Sequence, residues 1–326
     1  MTIALETAKS GGGITWAGPG RTAFAVPVAL GASRVPRECE SAAGIAECLG
    51  AGADSPRAQA LRDFFASAGD RAVGTFVLSD ERLYDASWIG EDAGPGSRTG
   101  VHALAELDDV GVIVVCAPDS SSGLARREEA VVDLAARRHD QLFLLERGGG
   151  GGSARSGQTV EFIFPNVAVV DARRTSIGSV AGYLEASDWR DHVAYRTASL
   201  EMPTGLAAEG AATLEAWRRR AGLRRSIDLG TRWMVFELSH PLLWKGVERD
   251  VSAFLHRLEK LGFFTGLDFR ARDCEVECGP CDDSVAEDPD ASRLRISLRV
   301  RKKTPESERG IGWSDSLSNG WKHGWR

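Results

Sequence analysis

One stripe of apolar side chains toward the C-terminal end constrains this chain more than anything else in it. Val247, Val251, Phe254, Leu255, Leu258 and Leu261 recur at intervals of four, three, one, three and three residues, the pattern of a helix with one buried face. The spacing predicts a helix over 243–261. Burying six such side chains contributes about 10 kcal/mol before the entropy of ordering is charged. The opposite face carries Lys245, Glu248, Arg249, Asp250, Arg257, Glu259 and Lys260, a solvated array with no catalytic pattern. Just upstream, Trp233-Met234-Val235-Phe236-Glu237-Leu238 reads as a short apolar strand that turns through Ser239-His240-Pro241.

The chain is long enough, at 326 residues, for one large or two modest domains. Residues 22–31 read as a strand, with Pro27 hinting at an edge or a bulge. Ser55-Pro56 is an N-cap and first-turn pair for a helix over 57–68 that Gly69 ends, and 72–78 is the next strand. Residues 82–99 are loop-like. A βαβ unit follows: strand 112–115, helix 124–138, strand 141–145. A Gly-rich low-complexity loop (148–157) precedes strands 160–164 and 167–170. Near the C-terminus, Leu294, Ile296, Leu298 and Val300 alternate with Arg293, Arg295, Ser297 and Arg299, a half-exposed strand. The fold class expected is α/β with some α+β character: mixed sheets flanked by helices.

Composition excludes some functions. A net charge of −6 argues against a binder dominated by phosphate contacts, so no nucleic-acid partner is expected. The apolar runs are too short for a membrane span, so no membrane insertion is expected, and residues 1–20 lack the pattern of a signal peptide. Six cysteines in this length suit a reducing cytoplasm.

Several short motifs imitate active sites. Cys274-x3-Cys278-x2-Cys281 has the spacing of an iron–sulfur or zinc cluster motif. The competing reading is an acidic loop (274–290) with free thiols, which the short chain remaining after Cys281 favours. Gly18-x-Gly20-x-x-Ala23 is followed by a strand where a dinucleotide site needs a helix N-terminus. No Lys-Ser or Lys-Thr follows either Gly-rich run. Asp119-Ser120-Ser121-Ser122-Gly123 lacks the Gly of a nucleophile elbow and reads as helix capping. The histidines show no metal-ligand spacing, and 188–192 reads as a surface loop. The tail 301–326 carries Trp313, Trp321 and Trp325 in a polar context. It reads either as a mobile terminus or as a segment that docks those rings on a neighbour.

The stretch 231–266 resembles the C-terminal domain of contractile tail sheath proteins, found in contractile phage tails, phage-tail-like bacteriocins and extracellular contractile injection systems. The residues that carry the resemblance are Arg224-Arg225, Trp233 to Glu237, Leu243-Trp244, Phe254-Leu255 and Gly262 to Gly266. Similar segments lie upstream: Arg62-Asp63-Phe64-Phe65, Arg137-Arg138-His139-Asp140 leading into Gln141 to Glu146, and Val180-Ala181-Gly182. The family's N-terminal T-P-G-V-Y arm and its final strand pattern are absent. The resemblance implies an N-terminal arm (1–21), a sheath-like α/β region (22–222), a sheath C-terminal domain (223–300) and a C-terminal arm (301–326).

It further implies a structural subunit, not an enzyme, with no catalytic residue and no cofactor. Such a subunit joins copies of itself in helically stacked hexameric rings and contracts around an inner tube. The implied roles are tube contact for Lys245, Arg249, Arg257 and Lys260, inter-subunit pairing for the strand of Leu294, Ile296, Leu298 and Val300, and docking for Trp313, Trp321 and Trp325. The implied partners are the tube protein, baseplate and tail-terminator or cap proteins, with an AAA+ ATPase of the gene cluster as a further candidate. Assembly is expected in a bacterial cytoplasm, as a component of a virion-like or contractile particle. The alternatives are a non-polymerising cap or adaptor of the same machine and, more remotely, a cysteine-ligated metalloprotein.

Overall fold

The computed structural model describes residues 13–27, 35–54, 58–72, 74–85, 88–117, 123–138, 140–147, 160–193, 206, 208–237, 240–264, 270–280, 294–300 and 316–317. The chain divides into two compact units, one of Ala17–Arg225 and one of Met1–Trp16 with Ser226–Arg326.

The larger unit is built on a seven-stranded sheet. Its strands are β1 (Arg21–Val26), β2 (Arg37–Cys39), β3 (Thr75–Ser79), β4 (Val110–Val115), β5 (Leu142–Arg147), β6 (Val160–Phe164) and β7 (Val167–Asp171), in the order β2-β3-β1-β4-β5-β7-β6. The five inner strands are mutually parallel, and the outer two, β2 and β6, pair antiparallel. That is a doubly wound order whose direction of winding reverses at β1/β4.

Parallel strands covered on both faces need continuous apolar sequence. Val-Gly-Val-Ile-Val-Val of β4 is buried at every position. Phe24, Val112, Val114, Leu142 and Leu144 point into one core, and Ala23, Ala25, Ile113, Phe143 and Leu145 into the other. The first core includes residues of α1 (Ile45–Leu49), α2 (Gln59–Ala68) and α5 (Ile177–Val193); the second includes residues of α3 (Gly100–Ala105) and α4 (Leu124–Ala135).

The α2–α5 contact depends on absent side chains. A Cβ on Gly178 would lie 1.8 Å from the Ala60 carbonyl oxygen, and one on Gly182 would lie 2.4 Å from that of Phe64. Buried polar groups close the loops: Asn166 Nδ2 donates to the carbonyls of Ala135 (3.1 Å), Arg138 (2.9 Å) and Gln141 (3.0 Å), satisfying the end of α4.

In the smaller unit, helix α7 (Pro241–Lys260) packs with a three-stranded antiparallel sheet of β8 (Cys274–Pro280), β9 (Leu294–Val300) and β10 (Ser316–Leu317), in the order β10-β9-β8. Helix α6 (Ala208–Thr231) contains the boundary between the two units.

Several expectations are corrected. The stretch expected as a strand at 233–238 is a 3-10 turn, Arg232–Phe236, running straight on from α6. Thr231 Oγ1 donates to the Ile227 carbonyl at 2.7 Å, Arg232 reaches Asp228 at 3.3 Å, and neither sheet has a strand there. A short apolar run does not distinguish strand from helix without that context. Residues 188–192 lie within α5, not a loop, and 274–280 form β8, not a loop. Pro27 follows β1, which is an interior strand. Leu261 sits just past the last turn of α7 and is 63% exposed, outside the buried stripe. Ser55 and Pro56 lie outside the described residues.

Candidate interaction surface

The sequence of α7 fixes both of its ends. His240 Nδ1 accepts the Leu243 N–H at 3.1 Å and Pro241 occupies the first turn. At the other end Gly262 adopts φ +78°, with Gly262 N–H on the Glu259 carbonyl at 2.9 Å and Phe263 N–H on the Leu258 carbonyl at 3.0 Å. This is the left-handed closure that glycine permits. Val247, Val251, Phe254, Leu255 and Leu258 are buried.

The outward face is cationic. Lys245, Arg249, His256 and Lys260 are all exposed, and Leu242 at its start is 78% exposed. Spaced three, four, seven and four residues apart, Leu242 and these four side chains share one stripe. Of the neighbouring carboxylates, Glu248 is engaged by β8 and Asp250 pairs with Arg249 of the stripe itself. Glu248 Oε1 accepts the Cys278 N–H at 2.9 Å, and Asp250 meets Arg249 at 3.4 Å. Arg257 points away from the stripe. Its guanidinium donates to the Ile14 carbonyl and lies over Gly13. Ile14 is buried and would touch any Cβ placed on Gly230, and Trp16 meets Phe263 edge-on at 5.0 Å. Of the cations singled out in the sequence, Lys245, Arg249 and Lys260 therefore share a surface, while Arg257 ties down the 13–16 segment. His256 and Leu242 complete the stripe. Both were legible from the same helical period, had it been projected onto the polar face.

The alternating strand is β9, with Leu294, Ile296, Leu298 and Val300 in register with Pro280, Cys278, Val276 and Cys274 of β8. On its other side Ile296 and Ser297 pair with Leu317 and Ser316. Trp313, Trp321 and Trp325 lie outside the described residues.

With that geometry in place the chain can be compared with known proteins. No protein-family model matches it, and no curated protein matches its sequence. Three solved structures are similar over almost their whole length. The helical sheath of the anti-feeding prophage in its contracted state matches with a TM-score of 0.56 at 14% identity, covering 97% of this chain and 99% of that one. The sheath complex of an extracellular contractile injection system, PVC, in its contracted state matches with a TM-score of 0.59 at 12% identity, covering 97% and 98%. A chain of the anti-feeding prophage baseplate matches with a TM-score of 0.53 at 12% identity, covering 97% and 99%. This chain has the tail-sheath fold.

The extended backbone of β8 separates two of the three motif cysteines. Cys274 and Cys278 stand four residues apart on an extended strand, about 13 Å, whereas two thiolates on one zinc ion sit within about 4 Å of each other. Burial pushes the Cys274 thiol up to about 12, helped by Asp273 and Glu259, and pushes Cys278 up to about 11, helped by Glu248. Both are neutral thiols at neutral pH. Cys281 lies outside the described residues, as do Asp119 to Ser122.

Doubly wound sheets bind phosphates at the carboxyl ends of their strands, where the winding reverses. Here the Ala117 N–H beyond β4 is taken by the Glu146 carboxylate at 2.7 Å. Buried Arg127 spans the carbonyls of Cys116 (3.2 Å) and Glu146 (2.6 Å).

Among the described buried charges, Arg218 of α6 and Glu185 of α5 stand 3.5 Å apart, with Thr22 Oγ1 of β1 donating to the same carboxylate oxygen at 3.0 Å. Burial raises the Glu185 pKa against the pull of Arg218, and burial lowers Arg218 to about 10. This trio joins two helices to the central strand. Sequence reading missed it because its members lie far apart along the chain.

Proposed function

We propose that this chain is a structural subunit of a contractile sheath: it encloses an inner tube, holds free energy in an extended state and releases it on contraction to drive the tube. One observation carries the reading, the likeness to two contracted sheath chains over 97% of this chain and 98–99% of theirs. A helical sheath needs heterologous contacts that do not close on themselves. In this reading copies join through extended arms (1–21 and 301–326) that add strands to a neighbour's sheet around β9, and Trp313, Trp321 and Trp325 dock on the adjacent copy. Residues 223–300 form the tube-facing domain. The α7 stripe of Lys245, Arg249 and Lys260 grips an acidic tube surface, with Arg257 anchoring the N-terminal arm behind it. Contraction is a packing switch between two arrangements, without turnover of a substrate. The partners are further copies in stacked hexameric rings, the tube protein, baseplate and terminator proteins, and an AAA+ ATPase of the same gene cluster. Assembly takes place in a bacterial cytoplasm.

The likeness to a baseplate chain favours a second reading, a sheath-fold cap or adaptor that binds the machine without polymerising. Negative-stain electron microscopy of the protein alone and with its tube partner separates the two. Striated tubes or stacked rings are expected for the sheath subunit. Monomers or single rings, even with tube present, would overturn it in favour of the cap.

A further inference from the structure

Two buried thiols meet at one end of the seven-stranded sheet. Cys39 closes β2 and is 1% exposed, and Cys48 sits on α1 and is 7% exposed. Glu38, the residue before Cys39, is the one whose carbonyl faces the Cys48 thiol. Cys39 Sγ donates to the Ser41 carbonyl at 3.4 Å, in the turn that leads to α1, and Cys48 Sγ to the Glu38 carbonyl of β2 at 3.3 Å. Both are free and both belong to the same core cluster. The strand they hold is short: β2 has three residues, pairs only with β3 among the described strands, and is tethered otherwise by Arg21 to Glu38 at 2.5 Å.

We propose that Cys39 and Cys48 are a latent dithiol that closes to a disulfide when a glutathione-type disulfide oxidant is present, clamping the outermost strand to α1. Cys48, the more accessible of the two, attacks one sulfur of the oxidant as its thiolate, forming a mixed disulfide and expelling one glutathione thiolate. Cys39 then attacks the Cys48 sulfur and expels the second. Two protein thiols lose two electrons, and the two protons pass to the departing thiolates, so one glutathione disulfide becomes two glutathione thiols. Burial and the neighbouring Cys48 push the Cys39 thiol up to about 12, which disfavours Cys39 as the first nucleophile. The clamp forms through local opening of the exposed turn at 40–43.

The test uses the full chain. Folded protein is incubated with excess glutathione disulfide, the remaining thiols are alkylated in denaturant, and the peptides are mapped by mass spectrometry. The expected result is a Cys39–Cys48 crosslink, a protein lighter by two hydrogens per link and a melting temperature raised by a few degrees. Recovery of both residues alkylated, trapped as glutathione adducts, or linked to other cysteines would overturn the proposal. C48S serves as the control, expected to leave Cys39 unlinked and the melting temperature insensitive to oxidant. The wild-type map decides the question whether or not that variant folds well.

Discussion

Gly178 and Gly246 both sit in helices, yet opposite constraints act on them. Gly178 lies under the Ala60 carbonyl, where a Cβ would be 1.8 Å from oxygen, while nothing lies within 4 Å of a Cβ on Gly246. Gly178→Ala is expected to destabilise the protein by about 2 kcal/mol or more, since α2 and α5 must separate to admit the methyl group. Gly246→Ala is expected to stabilise it by about 0.5–1 kcal/mol, through the helix-propensity gain alone. Urea unfolding midpoints of the two variants check the pair; shifts of the same sign would contradict the close packing. Asp171 offers a second test at this scale. Its carboxylate accepts the Arg173 N–H at 3.1 Å and the Arg173 guanidinium at 2.9 Å, which holds its pKa below the usual carboxylate value. A depressed folded-state pKa contributes stability that is complete above the unfolded value near 3.8 and is lost as pH falls through the folded value. Melting temperature should therefore drop with acid below about pH 4. Asp171→Asn should flatten that dependence and lose about 1 kcal/mol at neutral pH.

Among the elements, the buried trio on α5, α6 and β1 and the cationic stripe on α7 make separate predictions. Glu185→Gln removes the carboxylate 3.5 Å from buried Arg218 and is expected to cost about 3–5 kcal/mol, whereas Glu185→Leu with Arg218→Met should cost far less. Thermal unfolding of the two variants distinguishes them; equal losses would mean that packing, not charge, governs the contact. On α7, reversing Lys245, Arg249 and Lys260 to Glu should leave the circular dichroism unchanged, because all three are exposed. In the sheath reading it should abolish co-sedimentation with an acidic tube, and the wild-type interaction should weaken as salt rises. Tube binding that survives the triple reversal would remove α7 from the interface. The elements themselves were unequally legible. The buried face of α7 and the β4–α4–β5 unit could be read because their periodicity is local. Helix α6 was not, because its buried positions (Leu214, Arg218, Ala221, Leu223, Ser226 and Ile227) mix polar with apolar residues and fall on no single stripe.

For the whole molecule, the sheath reading places the driving force for motion in packing alone. Particle formation followed by light scattering should therefore proceed at the same rate with or without nucleotide. A requirement for ATP would point instead to a catalytic step.

By itself, the sequence determined what depends on neighbours a few residues away: the amphipathic α7, the continuous apolar runs of β4 and β5, and the motif order that resembles a sheath C-terminal domain. Tertiary structure decided the rest. It turned 232–236 into a 3-10 turn because α6 leads into it and no described strand pairs with it. It drew 274–280 out into a strand because β9 supplies partners for its backbone, and that extension separates Cys274 from Cys278. It turned Arg257 to a backbone carbonyl 243 residues away. Pairing partners, burial and the desolvation of charges all depend on segments distant in sequence, and periodicity, being local, carries no record of them.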